Sequence, residues 1–491
     1  MTPSAGGGPP FRPRVAIVGG GIAGLATAHA VRALAPETDI VVLEARDRIG
    51  GSIRSEHVDG YLCENGPDGF LDNAPATLAF IDAVGLSSRL LPSRPEARRR
   101  FIFRRDRLHE VPLSPGAFAS TRLLSTIAKL RVLAEPLAAR SWRHDESILD
   151  FAERHIGREA ARVLVGSMVS GIFAGDAGEL SLRACFPKMY DMEQQYRSLF
   201  RACLAMRRTS RSDNGVGAPA GRLTSFAGGM EELVDAAAAA LGPVLRTGCG
   251  VTAIQVRIRG RERGPHLVGA RAYSLACHGR RIEADAVVLT GPASESANLL
   301  LAFAPAAAAP LAAIQTVPLA VVCFGYDAAA LTADRGPLNG FGFLVPRGEG
   351  PRILGALWES SIYDGRAPRG KALIRVMIGG ATDPGAVALS DRDLVGRVRT
   401  DLERTMGVRV VPEFVHIVRH ARSIPQYTVG HAARLERIGA ALAGYPGLFL
   451  AGNSYRGVSV NACIEVAPQL ALRLVQHLRT VQRQADYAIA L

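Results

Sequence analysis

The fold turns on VAIVGGGIAGLATAHAVRALA (15–35) and the run DIVVLEARDRIGGSIRS (39–55) that follows it. Residues 15–18 form a buried-strand run, 22–35 read as a helix that Pro36 stops, and 39–43 form a second strand. The reading is one βαβ unit. Gly19, Gly21 and Gly24 compose a GxGxxG that follows the first strand and opens the helix, with Gly20, Ile22 and Ala23 inside it. Glycines in that turn let the backbone approach a pyrophosphate, whose charge then rests on the helix N-terminus. Glu44 ends the second strand, where an acid takes ribose hydroxyls and repels an extra 2′-phosphate. A GxGxxG alone is weak evidence, since many are ordinary glycine turns; the flanking strand, helix and acid make dinucleotide binding the expectation.

The whole chain supports a large globular protein. It has 491 residues, 48% hydrophobic and 21% charged, which excludes disordered, collagen-like and small disulfide-bonded classes. A single core stops growing near 250–300 residues, so at least two lobes with a cofactor-sized cleft are expected. Lys+Arg exceeds Asp+Glu by 58 − 45 = 13, and only Lys129, Lys188 and Lys371 are lysines. Such a basic chain suits acidic partners, but no nucleic-acid reader motif occurs and nucleic acid is not an expected partner. The seven cysteines, at 63, 185, 203, 249, 277, 323 and 463, never form CxxC. Neither a disulfide framework nor a metal site is expected, and a reducing, cytoplasmic setting is. Residues 1–13 read as a flexible leader. The apolar stretch 299–326 is interrupted by Pro305, Pro310 and Pro318, which argues against a membrane span.

From 118 to 208 the pattern is helical and arginine-rich, and Met189, Met192, Leu199, Cys203 and Met206 recur at helical spacing, as in core packing. Residues 209–221 read as a linker. Strands are expected at 285–290, 318–326, 341–346 and 372–378, and a strand, turn and helix at 448–478. Pro468 predicts a kink or a later helix start there.

Arg48, Gly50 and Gly51, directly after Glu44, resemble the RxGG signature of two-domain flavoproteins. GYLCENGPDGF (60–70), ARRRFIF (97–103), SGIFAGDAGELSLRACFP (170–187), GFGFLVP (340–346) and SYRGVSVNACIE (454–465) resemble the oxygen-dependent protoporphyrinogen oxidase family, within the amine oxidase and phytoene desaturase superfamily. The likeness spans nearly the whole chain. It implies an α/β fold: a Rossmann-like FAD-binding domain (14–95, 222–295, 425–484), an inserted mixed-sheet substrate domain (96–117, 296–424) and an inserted helical, membrane-associating domain (118–208). FAD is the implied cofactor. Its implied contacts, beyond the glycine loop, Glu44 and Arg48, are Gly50, Gly51 and Ser52, the run Gly66, Pro67, Asp68 and Gly69, Val251, and Gly452, Asn453, Val458, Ser459 and Val460.

For the substrate, the resemblance implies that Arg100 binds a propionate of a tetrapyrrole, that Gly171 offers its carbonyl to pyrrole N–H groups, and that Phe341, Leu344 and Met377 sandwich the macrocycle. By residue type alone each could be ordinary core or solvated loop; the surrounding strings favour the site. The family's Asn-Asp-Cys string is Asn461, Ala462, Cys463 here, so no acid stands at its middle position. The implied reaction is six-electron oxidation of protoporphyrinogen IX to protoporphyrin IX, with hydride passing to flavin, dioxygen as acceptor and hydrogen peroxide released. No side-chain acid or base is required, and His57, His109 and His144 read as surface or core. Coproporphyrinogen III oxidation is the alternative. An amine oxidase is disfavoured because no lysine lies between Lys188 and Lys371, and a porphyrin-binding flavoprotein without turnover is the remaining rival. An anionic membrane surface, on the inner face of the cytoplasmic membrane, and a homodimer complete the expected partners.

Overall fold

The computed structural model describes residues 12–138, 141, 144–209, 221–257 and 272–490. Most of the leader and of the 209–221 segment lies outside them. A five-stranded parallel sheet carries the βαβ unit, its strands drawn from Leu245–Arg246, Asp39–Leu43, Arg14–Val18, Ala286–Leu289 and Leu448–Leu450, in that spatial order. Ile17 pairs with Val42 on one side and Val288 on the other. Side chains alternate across a strand, so Val15 and Ile17 enter one core with Leu25 and Leu474, while Ala16 enters another with Leu275 and Leu311. Both faces are covered, as the continuous apolar runs require.

A second, seven-stranded sheet runs Phe414–Pro425, Thr316–Asp327, Lys371–Gly379, Ile353–Leu357, Gly342–Leu344, Arg100–Arg104, Arg107–Glu110. It is antiparallel except where Gly342–Leu344 lies parallel to Arg100–Arg104. Pro318, which has no N–H to donate, sits at the register shift between Val317 and Leu319. The stretch 299–326 divides among the end of helix Ala293–Leu300, helix Pro305–Ala312 and strand Thr316–Asp327. No helix among the described residues is long and apolar enough to cross a membrane.

Helices follow from Pro115 to Thr209, and here one expectation holds only in part, for Leu199 packs on the helical core cluster while Met189 does not. In the helix Pro187–Tyr196 the buried residue is Glu193, whereas Met189 is exposed, Met192, Leu199 and Cys203 are half-buried, and the Met206 side chain lies outside the description. Charge pairing sets the helix rotation: Glu193 Oε1 lies 2.5 Å from Arg154 Nη1 and 3.1 Å from His155 Nε2. His155 Nδ1 meets Glu135 at 2.8 Å. An ionic cluster therefore fills the place assigned to an apolar stripe.

Two further corrections concern the cysteines and Pro468. Cys249 and Cys277 form a disulfide, their Cα atoms 5.7 Å apart. Antiparallel pairing puts Val251 opposite Cys277 and so brings together thiols that are 28 residues apart in the chain. The last helix does not start late, for Val460–Ala490 is continuous with Pro468 inside it. Ser459 sets that start, its Oγ accepting from the Ala462 N–H at 3.1 Å and its carbonyl from the Cys463 N–H at 3.1 Å.

Candidate active site

The glycine loop is built around close backbone approach. Gly19 has φ +115°, and a Cβ on Gly24 would stand 2.1 Å from the Gly19 carbonyl oxygen. No side chain caps the helix that opens after Gly21, and no acid lies in its first turn. Its N–H groups are left for a ligand. Glu44 Oε2 accepts from the Gly20 N–H at 2.8 Å, and Glu44 Oε1 from the Arg46 N–H at 3.0 Å. The Cys249 N–H reaches the Glu44 carbonyl at 2.7 Å, bringing Val251 beside that acid.

The segment 48–52 folds over the same loop. Gly50 donates to the Gly20 carbonyl at 2.8 Å, and Arg48 spends its guanidinium on the carbonyls of Ile49, Gly51 and Ile53. Arg48 thus shapes the loop from within. A Cβ on Gly66 would lie 2.0 Å from the Ser52 carbonyl oxygen, so glycine alone lets 66–69 pack there. Gly69 faces Tyr363, Pro67 and Asp68 lie between, and Gly452, at φ +111°, closes on Thr290. Tyr427 donates to the Asn453 carbonyl, Val458 packs on the helical cluster, and Val460 is buried at the last helix's start. Thr290 was missed in the sequence. Its hydroxyl lies 3.0 Å from both the Val18 and Gly19 carbonyls, yet nothing in its local pattern marks it.

The substrate residues expected from four separate stretches come together at the second sheet, with Gly171 on a helix packed against it. Gly342 stands opposite Arg100, Leu344 opposite Ile102 and Gly355, and Gly355 opposite Met377. Cross-strand partners share a face, so Arg100, Leu344 and Met377 lie on the face opposite the buried Phe103, Phe343 and Val376. A Cβ on Gly171 would meet Leu344 Cδ2 at 2.7 Å, and the missing side chain lets its helix, Ser167–Phe173, rest on that face.

Arg100 carries the polar end. Its guanidinium carbon lies 4.9 Å from the Phe341 ring centroid, with no carboxylate partner among the described residues. Surrounding protein pulls its pKa below the usual arginine value through desolvation, although the residue is exposed. A cleft-lining cation combines these properties. Three of the arginines around it are committed: Arg99 to Glu110 at 2.9 Å, Arg104 to Glu159 at 2.9 Å, and Arg94 to Asp364 at 3.4 Å. The two halves meet where Arg375, on the face of Met377, donates to the Gly66 carbonyl and His420 Nε2 lies 2.8 Å from the Asn65 carbonyl.

A family model for flavin containing amine oxidoreductases matches residues 22–471. The chain belongs to that family. It is an oxidoreductase whose cofactor is FAD. The residues present fit that group, since the glycine cradle, uncapped helix and adjacent acid supply space and donors for a pyrophosphate and ribose. The chain is 34% identical to human protoporphyrinogen oxidase over 94% of its length and 98% of the relative's. It is 32% identical to the chloroplastic protoporphyrinogen oxidase of Oryza sativa, covering 94% and 88%. Coproporphyrinogen III oxidase of Bacillus subtilis is 30% identical, with 92% and 95% covered. Among solved structures, one described as a protoporphyrinogen oxidase from Exiguobacterium sp. 255-15 superposes with TM-score 0.78 at 27% identity, covering 97% of this chain and all of that one.

Proposed function

We propose that this oxidoreductase converts protoporphyrinogen IX to protoporphyrin IX by removal of six electrons in three two-electron cycles. The observation that carries the reading is Arg100, an unpaired, partly desolvated guanidinium beside Phe341 on the sheet face of Leu344 and Met377, against Gly171. Bound FAD supplies the hydride acceptor, which dioxygen regenerates with release of hydrogen peroxide. Arg100 takes a substrate propionate in a charge-assisted fork. Phe341, Leu344 and Met377 hold the apolar disc, and the Gly171 carbonyl accepts pyrrole N–H groups. Position and exclusion of water do the work, since tautomerisation carries the remaining hydrogens around the macrocycle.

For the cofactor, the glycine loop and helix N-terminus hold the pyrophosphate, Glu44 the ribose and Val251 the adenine; 50–52, 66–69, 452–453 and 458–460 line the flavin. The FAD-binding domain is then the parallel-sheet unit (14–95, 222–295, 425–484), and the substrate domain the second sheet (96–117, 296–424).

Coproporphyrinogen III is the second reading, favoured by the Bacillus subtilis relative. The pairing of Arg94, Arg99 and Arg104 with carboxylates leaves fewer cations for four propionates and weighs against it. Anaerobically prepared protoporphyrinogen IX and coproporphyrinogen III, offered in parallel to FAD-loaded protein in air, test the choice. Higher kcat/KM for protoporphyrinogen supports the proposal; the reverse preference assigns the other substrate.

The helical region 118–208 docks peripherally on anionic lipid, at the inner face of the cytoplasmic membrane. Ile127, Leu130, Leu133 and Leu137 form an exposed apolar stripe, with Ile127 at 81% and Leu137 at 85% exposure, beside the exposed Arg122.

A further inference from the structure

Between the segment 64–69 and the second sheet, three carboxyls and two guanidiniums lie out of solvent's reach. Glu64 is well supplied, accepting from Ser55 Oγ at 2.7 Å and the Met230 N–H at 2.8 Å, with Arg366 Nη1 at 3.5 Å. Arg366 donates to Ser225 Oγ at 2.8 Å and lies over the Tyr363 ring. Arg375 donates to the Gly66 carbonyl, and its Nη1 is 3.7 Å from Glu359 Oε1, too far for a hydrogen bond. Both Asp68 oxygens and both Glu359 oxygens are buried without a donor. Two ionised carboxylates only accept and cannot satisfy each other, so a buried carboxyl without a donor is relieved by keeping a proton that it can itself donate. The charge count agrees. Glu64, Asp68 and Glu359 against Arg366 and Arg375 give −1 when all are ionised and zero with one proton retained, and an uncompensated buried charge is costly.

We propose that Glu359 keeps a proton beside Asp68 at the junction of the FAD-binding segment and the substrate sheet, and that losing it leaves a buried negative charge that slows hydride acceptance. The inference rests on reading 66–69 as a flavin-contacting segment. In the step itself a substrate C–H bond breaks and both electrons travel with the hydrogen to FAD; the pair gives and takes no proton and sets only the local charge. The groups facing it are Arg375, Arg366, Glu64 and Tyr363, with the Cys323 thiol against Arg375. Burial first, then the charge of Asp68, pushes the Glu359 pKa up against Arg375 and Arg366. Glu64, raised to about 7 by burial, is the rival holder of the proton.

Infrared titration of the FAD-loaded protein reads the proton directly. The expected result is a protonated-carboxyl band at neutral pH that disappears in both Glu359→Gln and Asp68→Asn and persists in Glu64→Gln. A band lost only in Glu64→Gln, or absent from the native protein, overturns the proposal. Anaerobic flavin bleaching by porphyrinogen should slow about tenfold between the neutral and alkaline plateaus of the native protein, equivalent to about 1.4 kcal/mol of barrier. The same measurement should stay level in Glu359→Gln. Should that variant fail to fold, Asp68→Asn, at a partly exposed loop position, carries the same comparison. An equal alkaline decline in both proteins refutes the charge effect, whereas native protein that binds no FAD refutes the reading of 66–69 instead.

Discussion

Truncating Arg100 should affect substrate use and stability in opposite directions. Its guanidinium makes no ion pair, so Arg100→Ala strands no carboxylate and removes a cation whose desolvation already lowers its pKa. Tm should hold or rise slightly, the pattern of a residue kept for function at a cost in stability. In the oxidation assay the variant loses a charge-assisted pair to a propionate, about 1.5–3 kcal/mol, which raises KM about ten- to 150-fold. Arg100→Lys keeps the charge but loses the fork, and should fall between. Arg99→Ala is the control one position away. Arg99 pairs with Glu110 at 2.9 Å on the surface, where such a bridge contributes about 0–1 kcal/mol, so its KM should not move. Initial rates of porphyrin fluorescence from anaerobically prepared protoporphyrinogen, with FAD content checked by absorbance, give the numbers. Unchanged kinetics in Arg100→Ala, or a larger effect from Arg99→Ala, would refute the propionate role.

Four further outcomes are expected. Glu44→Ala removes the acceptor for the Gly20 and Arg46 N–H groups and should weaken FAD retention by about 1–3 kcal/mol; a fully flavinated variant after extensive dialysis would contradict this. Although burial opposes it, hydrogen bonds from His155 and Arg154 hold Glu193 down to about 2. Because this folded pKa is depressed, its stabilisation is complete above the ordinary value of 4.5 and is lost as pH falls toward 2. Acid unfolding of Glu193→Gln should therefore lack about 3 kcal/mol of pH-dependent stability across that window, and superimposable acid transitions would count against the cluster. Alkylation of denatured, unreduced protein should label five of the seven cysteines, sparing Cys249 and Cys277; seven labels would mean that the bridge is absent. Co-sedimentation with anionic vesicles should be lost on Leu130→Asp and Leu133→Asp and weakened by salt, and no sedimentation of the native protein at low salt would remove the membrane reading.

Local chemistry made the first half of the site legible. A parallel strand buried on both faces must be continuously apolar, and a phosphate-binding turn must lack side chains, so Val15–Leu43 declares strand, helix and strand to within a residue of their observed ends. Glu44 follows from the same geometry. Resemblance, rather than pattern, singled out Arg100, Gly171, Phe341, Leu344 and Met377. Nothing in the periodicity of these distant stretches says that a parallel pairing of Arg100 with Gly342, inside an otherwise antiparallel sheet, brings Arg100, Leu344 and Met377 to one face.

Tertiary structure alone decided the features that depend on who is buried against whom. An arginine-rich loop reads as a uniform run of charge, and only the fold pairs Arg94, Arg99 and Arg104 with carboxylates and sets Arg100 over the Phe341 ring. Glu193 displaced a methionine stripe because buried charge pairing outweighs the apolar surface of flexible side chains. Cys249 met Cys277 through strand register, and Arg375 joined Glu359 to the segment at Gly66 across about 300 residues of chain. The amino-acid order by itself determined the dinucleotide fold and its phosphate loop, whose determinants are neighbours in the chain. Which charges are compensated was left to the packing, because desolvation and Coulomb energy depend on distances in space that local spacing does not encode.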